Sequence, residues 1–118
     1  MSLTRVARRQ SFFLREPLLH ADSGLPAPGA EFSPEGARYR YEVESYFEGE
    51  PGAEGMVVNL SELDGRLEEW LRNPILEAPA RFLHRLAARI IAEKPAPGAR
   101  LVKLRLYFGE EHWLDVWP

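Results

Sequence analysis

The side chains in this sequence that could do chemistry are few and scattered. Its three histidines, His20, His84 and His112, could move protons or hold a metal. A zinc site needs imidazoles converging at about 2.0–2.1 Å, and the separation of these three along the chain argues against a cluster. His84 lies with Arg81 and Arg85, where a solvated imidazole on a helix is the simplest reading. His20 borders a loop-like stretch and is the histidine best placed to reach a ligand pocket, although a surface imidazole is the plainer expectation. Glu110 and Glu111 sit at a turn, where solvated carboxylates are common. Paired carboxylates divide acid and base roles only when their surroundings push their pKa values apart. The chain contains no cysteine, which removes disulfides, thiolate metal ligands and a thiol nucleophile together.

The strongest charged pattern is Arg38–Phe47, RYRYEVESYF. Tyr39, Tyr41, Val43, Ser45 and Phe47 alternate with Arg38, Arg40, Glu42, Glu44 and Tyr46, the period-two signature of a strand with one buried face. In LVKLRLYF, Val102, Leu104, Leu106 and Phe108 alternate with Lys103, Arg105 and Tyr107, which predicts a second such strand. Arg38, Arg40, Lys103 and Arg105 can then share one sheet face. That face is either a polar surface that keeps the sheet soluble or a basic lumen or anion-binding patch.

The elements that must position these groups follow from local pattern. Residues 4–13, TRVARRQSFF, lean towards a strand because Val6, Phe12 and Phe13 favour extended backbone and Pro17 ends it. Residues 21–36 carry three prolines and three glycines, which predicts a long loop without a regular element. After the turn EGEPGAEG, Asn59 is a helix cap with Glu62 three residues on, and Leu60, Leu63, Leu67, Trp70 and Leu71 form an apolar stripe. Pro79 starts another helix, with Phe82, Leu83, Leu86, Ala87, Ile90 and Ile91 as its buried side. KPAPGA ends that helix, and Gly109, Glu110 and Glu111 connect LVKLRLYF to a last strand, HWLDVW. The order strand, strand, helix, helix, strand, strand predicts an α+β domain, with both helices on one face of a four-stranded antiparallel sheet.

Length and composition are consistent with that reading. The chain has 118 residues, one domain's worth over residues 1–118, with globular hydrophobic and charged fractions of 45% and 28%. A net charge of -3 leaves no electrostatic footprint for nucleic acid, and no apolar run approaches a membrane span. MSLTRVARRQ lacks the apolar stretch of a secretory signal, so a cytoplasmic protein is expected.

The element order, together with Gly55-Met56-Val57-Val58-Asn59-Leu60 followed by Leu63 and a helix, resembles the 6-pyruvoyl-tetrahydropterin synthase family and its 6-carboxy-tetrahydropterin relatives. Those proteins share a G-M-V-x-[DN]-[FL]-x-x-L run at this place. YEVESYFEGE is similar to the family's second strand, EAPARFLHRLAARIIAEK to its second helix and VKLRLYFGEEHW to its final hairpin. The resemblance covers most of the chain, and GMVVNL is its one locally specific run. It implies a tunnelling fold, in which subunits join their sheets edge to edge into a barrel and pterin- or purine-like ligands bind between subunits.

Active members use three zinc histidines, a cysteine, an Asp-His pair and a glutamate that anchors the pterin. Carried over by residue, SFFLREPLL stands at the first histidine, with Glu16 nearest to it. Ala37-Arg38-Tyr39-Arg40-Tyr41 replaces the H-G-H-N-Y run, and NPILEAPARF replaces the Asp-His stretch. The anchoring glutamate falls near Phe108, with Glu110 or Glu111 in reach if the hairpin register shifts. The resemblance therefore implies a homo-oligomer without zinc-dependent lyase activity, metal or cofactor. Glu16, His20, Tyr39, Phe108, Glu110 and Glu111 would line a pocket for a pterin-like or anionic ligand. Two alternatives stand beside it. One is an active tetrahydropterin synthase-type enzyme whose displaced groups, His20, Glu16 or Glu110, transfer protons; the other is a structural or partner-binding oligomeric module.

Overall fold

The computed structural model describes residues 3–50, 60–93 and 99–118. Its elements are β1 (Thr4–Leu14), α1 (His20–Ser23), β2 (Ala30–Ser33), β3 (Gly36–Gly49), α2 (Leu60–Trp70), α3 (Pro79–Glu93), β4 (Ala99–Tyr107) and β5 (Trp113–Val116). The strands form an open antiparallel sheet in the order β1-β3-β4-β5, with β2 also paired to β3. The class is α+β, as the element order implies, but the sheet has five strands rather than four. Gly55–Asn59 of the GMVVNL run, the Asn59 cap and Lys94–Gly98 lie outside the described residues. Among the described residues, no helix is long and apolar enough to cross a membrane.

The extra strand comes from residues 21–36, where no regular element is expected from the sequence. The glycines there punctuate elements instead of preventing them. Gly24, at φ 71°, closes α1 in the left-handed conformation that glycine adopts most cheaply. Gly36, at φ 116°, turns the chain from β2 into β3. The Ser33 hydroxyl supports this turn by donating to the Gly36 carbonyl at 3.2 Å and accepting from the Glu35 N–H at 3.3 Å.

β3 is the axis of the sheet. Tyr39 is paired with Leu14 on one side and Ala30 on the other, and Glu42 with Ser11 and Tyr107. β2 and β4 therefore share one edge of β3, with β1 along the opposite edge. Pairing between β3 and β4 runs from Tyr46↔Lys103 to Phe47↔Leu101, so Val102 is the extra residue of a β-bulge. The bulge resets the alternation: Leu101, not Val102, is the buried residue at that end of β4.

Both long helices cover one sheet face. Leu63, Leu67 and Leu71 of α2 and its end, with Phe82, Leu83, Leu86 and Ile90 of α3, pack with Tyr41, Val43, Phe47, Leu104 and Leu106 into one apolar cluster. Arg8 ties β1 to α2 by a two-bonded contact with Asp64 at 3.0 and 2.8 Å, and Arg66 bridges Glu62 and Glu93 across the helix pair. Ile91 departs from the expected stripe. A helix turns about 100° per residue, so Ile90 is fully buried while Ile91 is 48% exposed.

These neighbours provide an internal comparison. Ile90→Ala is expected to destabilise the protein by about 2–5 kcal/mol through lost burial and a cavity, whereas Ile91→Ala should cost no more than about 0.5 kcal/mol. Urea unfolding of the two variants checks this, and equal losses would contradict the packing described.

Candidate functional site

The uncovered sheet face is built by the charged half of each strand. On β3, Glu42 accepts from the Arg9 Nε–H, from an Arg40 Nη–H at 2.9 Å and from the Ser11 hydroxyl at 3.3 Å. Two residues along, one oxygen of Glu44 accepts both the Tyr46 hydroxyl and the Tyr107 hydroxyl, the latter at 2.8 Å. Arg105 of β4 grips Asp115 of β5 with two bonds of 2.7 and 3.1 Å. Aromatic rings separate the cations: Arg9 lies 3.8 Å from the centre of Tyr107, and Lys103 lies 4.1 Å from Tyr46.

This network fixes protonation states. Burial raises the Tyr46 phenol far above its ordinary range, and its bond to the Glu44 carboxylate raises it further. Arg105 is held cationic mainly by its bond to Asp115. Burial works against the charge of Arg9, but its bond to Glu42 prevails and raises its pKa. At the far end, the Arg5 bond holds the Glu48 carboxyl below the usual range, with Arg100 adding to the effect. The groups at the centre of the face are committed to one another, which suits a rigid charged surface better than proton transfer.

Among the described residues, a smaller and a larger cleft flank it. The smaller, about 280 Å³, opens where β4 ends and β2 begins, lined by Arg9, Arg40, Glu42, Tyr107, Glu31 and Glu110 among others. The larger, about 930 Å³, lies where β1 leaves the sheet and β3 enters it, against the Arg72–Leu76 connection between the helices. The Leu14↔Tyr39 pairing brings Glu16 to this end, where it shares the larger cleft with Ala37 and Arg38.

The candidate residues named from the sequence divide among three places. Glu16 lines the larger cleft and Glu110 the smaller, while Glu111 is exposed on the β4–β5 turn. Tyr39 is half-buried against the edge of the core, and Phe108 is buried within it. His20 is also buried, which corrects the expectation of a surface imidazole. Its ring meets Phe108 edge-on at 5.1 Å and stacks on Tyr41 at 5.9 Å. The short helix α1 makes this possible, and the Leu19 N–H anchors it by donating to the Glu77 carbonyl at 3.1 Å. The Tyr41 phenol accepts the Leu18 N–H at 3.0 Å and shares a second hydrogen bond with His20 Nε2, also 3.0 Å away. Burial lowers the pKa of His20, opposed by the Leu25 backbone, and raises that of Tyr41.

Among the described residues, no group of three His, Asp or Glu side chains converges to hold a metal. Sequence pattern placed Arg38, Arg40, Lys103 and Arg105 on one face but missed Arg9, Asp115, Arg15 and Arg72. The alternation of β1 held a signal for Arg9, whereas Arg72 follows α2 in a connection with no period to read. Compared with protein-family models and with curated proteins, the chain matches none.

The buried imidazole sets a pH dependence. His20 has a folded pKa below its ordinary value of 6.5, so the unfolded chain takes up its proton more readily. Its contribution to stability is therefore complete above about pH 6.5 and lost as the pH falls below it, by at most about 1.4 kcal/mol per pH unit. Urea unfolding at about pH 7.5 and about pH 5.5 should show this loss, and His20→Gln should flatten it. An unchanged slope in the variant would contradict the assignment.

Proposed function

We propose that this chain is a homo-oligomeric, tunnelling-fold binding protein related to 6-pyruvoyl-tetrahydropterin synthases, without their zinc-dependent lyase chemistry. It holds a pterin-like or anionic small molecule near a subunit interface. The observation that carries this reading is the sheet order β1-β3-β4-β5, with both long helices inserted between β3 and β4 and laid on one face. Among the described residues, that order leaves an eleven-residue β1 and a four-residue β5 at its two ends, each with an unpaired backbone edge, besides the short β2 that pairs with β3 alone.

A long unpaired edge is a template for another strand, and natural sheets blunt, cover or close such edges. β1 contains no proline, and among the described residues no further strand pairs with its outer edge. Closing β1 onto the β5 edge of a second copy satisfies both edges and turns the Arg9–Glu42–Arg105 face inward or onto a neighbour. The placement of Glu16 beside Ala37 and Arg38 also supports the relationship, because it joins the two stretches that the resemblance assigns to the ancestral metal ligands. Where that family uses imidazoles, this chain presents a carboxylate, alanine, tyrosine and arginines.

Light scattering coupled to size exclusion tests the reading. An oligomer of 13.5 kDa subunits is expected, and a monomer at high concentration would overturn the proposal. Titration of that oligomer with a pterin, followed by fluorescence, should show saturable binding. A silent titration with every pterin tried would leave an assembly scaffold and remove the ligand-binding half.

A further inference from the structure

We infer that the larger cleft, at the end of β1, is a binding site for a small oxyanion, a phosphate or carboxylate group, held by Arg15, Arg38 and Arg72. Arginine use across the molecule points there. Eight of the thirteen arginines reach a carboxylate at 3.5 Å or less. Among the described residues, five form no ion pair, and three of these five line this one cleft. Guanidinium groups that share a cleft without ion-pair partners repel one another, a cost that a bound anion lowers.

Arg38 carries the argument further. Among the described residues, its Nε–H is enclosed and meets no hydrogen-bond partner, and its guanidinium lies 4.6 Å from the centre of the Phe13 ring. The aromatic face fixes the plane of the fork, which is the arrangement that recognises two oxygens of a carboxylate or phosphate at once. Arg72, from the connection after α2, and Arg15, from the end of β1, approach from other elements.

Two carboxylates, Glu16 and Glu35, also line the cleft, leaving it one net positive charge. They disfavour a polyanion and suit hydroxyl or amino groups on the ligand. At about 930 Å³ the space exceeds what a bare ion occupies, so a small hydroxylated organic anion fits it better than inorganic phosphate. The cleft is built within one chain, so the inference does not depend on the assembly proposed above.

Isothermal titration of the full chain with inorganic phosphate and with glycerol 3-phosphate, against chloride at matched ionic strength, tests the site. Saturable binding at one anion per chain is expected. Arg72→Gln should weaken it about tenfold or more, the loss of a charged hydrogen-bonding contact. Arg38→Lys, which keeps the charge and loses the fork, should also weaken it. Arg81→Gln removes an arginine that forms no ion pair among the described residues and does not line the cleft, and it should leave binding unchanged. Tighter binding of glycerol 3-phosphate would identify an organic ester as the ligand and tighter binding of phosphate the free ion; both support the site. No saturable binding, or equal weakening by Arg81→Gln, would overturn it. Arg72→Gln keeps the test valid even if Arg38→Lys disturbs folding, because Arg72 is exposed. A monomer that still binds phosphate would end the assembly reading and leave this one standing.

Discussion

β3 pairs along both edges and has opposite demands on its two faces, so the other elements are placed by what it requires. Its inner side chains, Tyr41, Val43, Ser45 and Phe47, are at most 2% exposed and must be roofed. Burying a single large apolar side chain contributes roughly 1.5–3 kcal/mol, whereas solvent-exposed ion pairs contribute little. The roof of α2 and α3 therefore holds the fold together, and the charged outer face shapes it without being its main support. The long connections follow from the same demand, since the chain must leave the sheet after β3, form the roof and return as β4.

The outer face and the larger cleft solve their electrostatics differently. Along the face, Glu42, Glu44 and Asp115 each receive donors from neighbouring strands, so the charges cancel within bonding distance. At the sheet end, Arg38 stands opposite Glu31 of β2, while Arg15 and Arg72 lie just beyond the ends of β1 and α2. Arg15, Arg38 and Arg72 share a cleft there with Glu16 and Glu35, and among the described residues none of the three forms an ion pair. Geometry, more than composition, separates the two regions, because arginine is plentiful in both.

The regular elements were legible wherever a period of two or 3.6 had room to repeat. β3, α3 and most of β4 follow directly from their alternation or stripe. The misses occur where one residue shifts the count or where glycine changes role. Val102 reads as inward-facing only if β4 has no bulge, and nothing in LVKLRLYF marks the insertion. Gly24 and Gly36 read as breakers, yet each ends one element and allows the next. His20 reads as a loop histidine because the short helix that carries it and the Tyr41 hydroxyl that meets it are 21 residues apart, with no local pattern linking them. For the same reason the candidate set Glu16, His20, Tyr39, Phe108, Glu110 and Glu111 could be named but not located. Their distribution among two clefts, a turn and the core depends on contacts between distant residues.

The tryptophans have a practical consequence. Two of the three, Trp113, which opens β5, and Trp117, which follows it, are 50% and 64% exposed, while Trp70 sits beside Arg89 with its ring 5.2 Å from that guanidinium. None belongs to the fully enclosed interior, which is furnished with phenylalanine, tyrosine and aliphatic residues. Intrinsic emission from this protein therefore reports chiefly on its rim. A blue shift on raising protein concentration would register the drying of the β5 border, giving the molecule a label-free optical gauge of its own company.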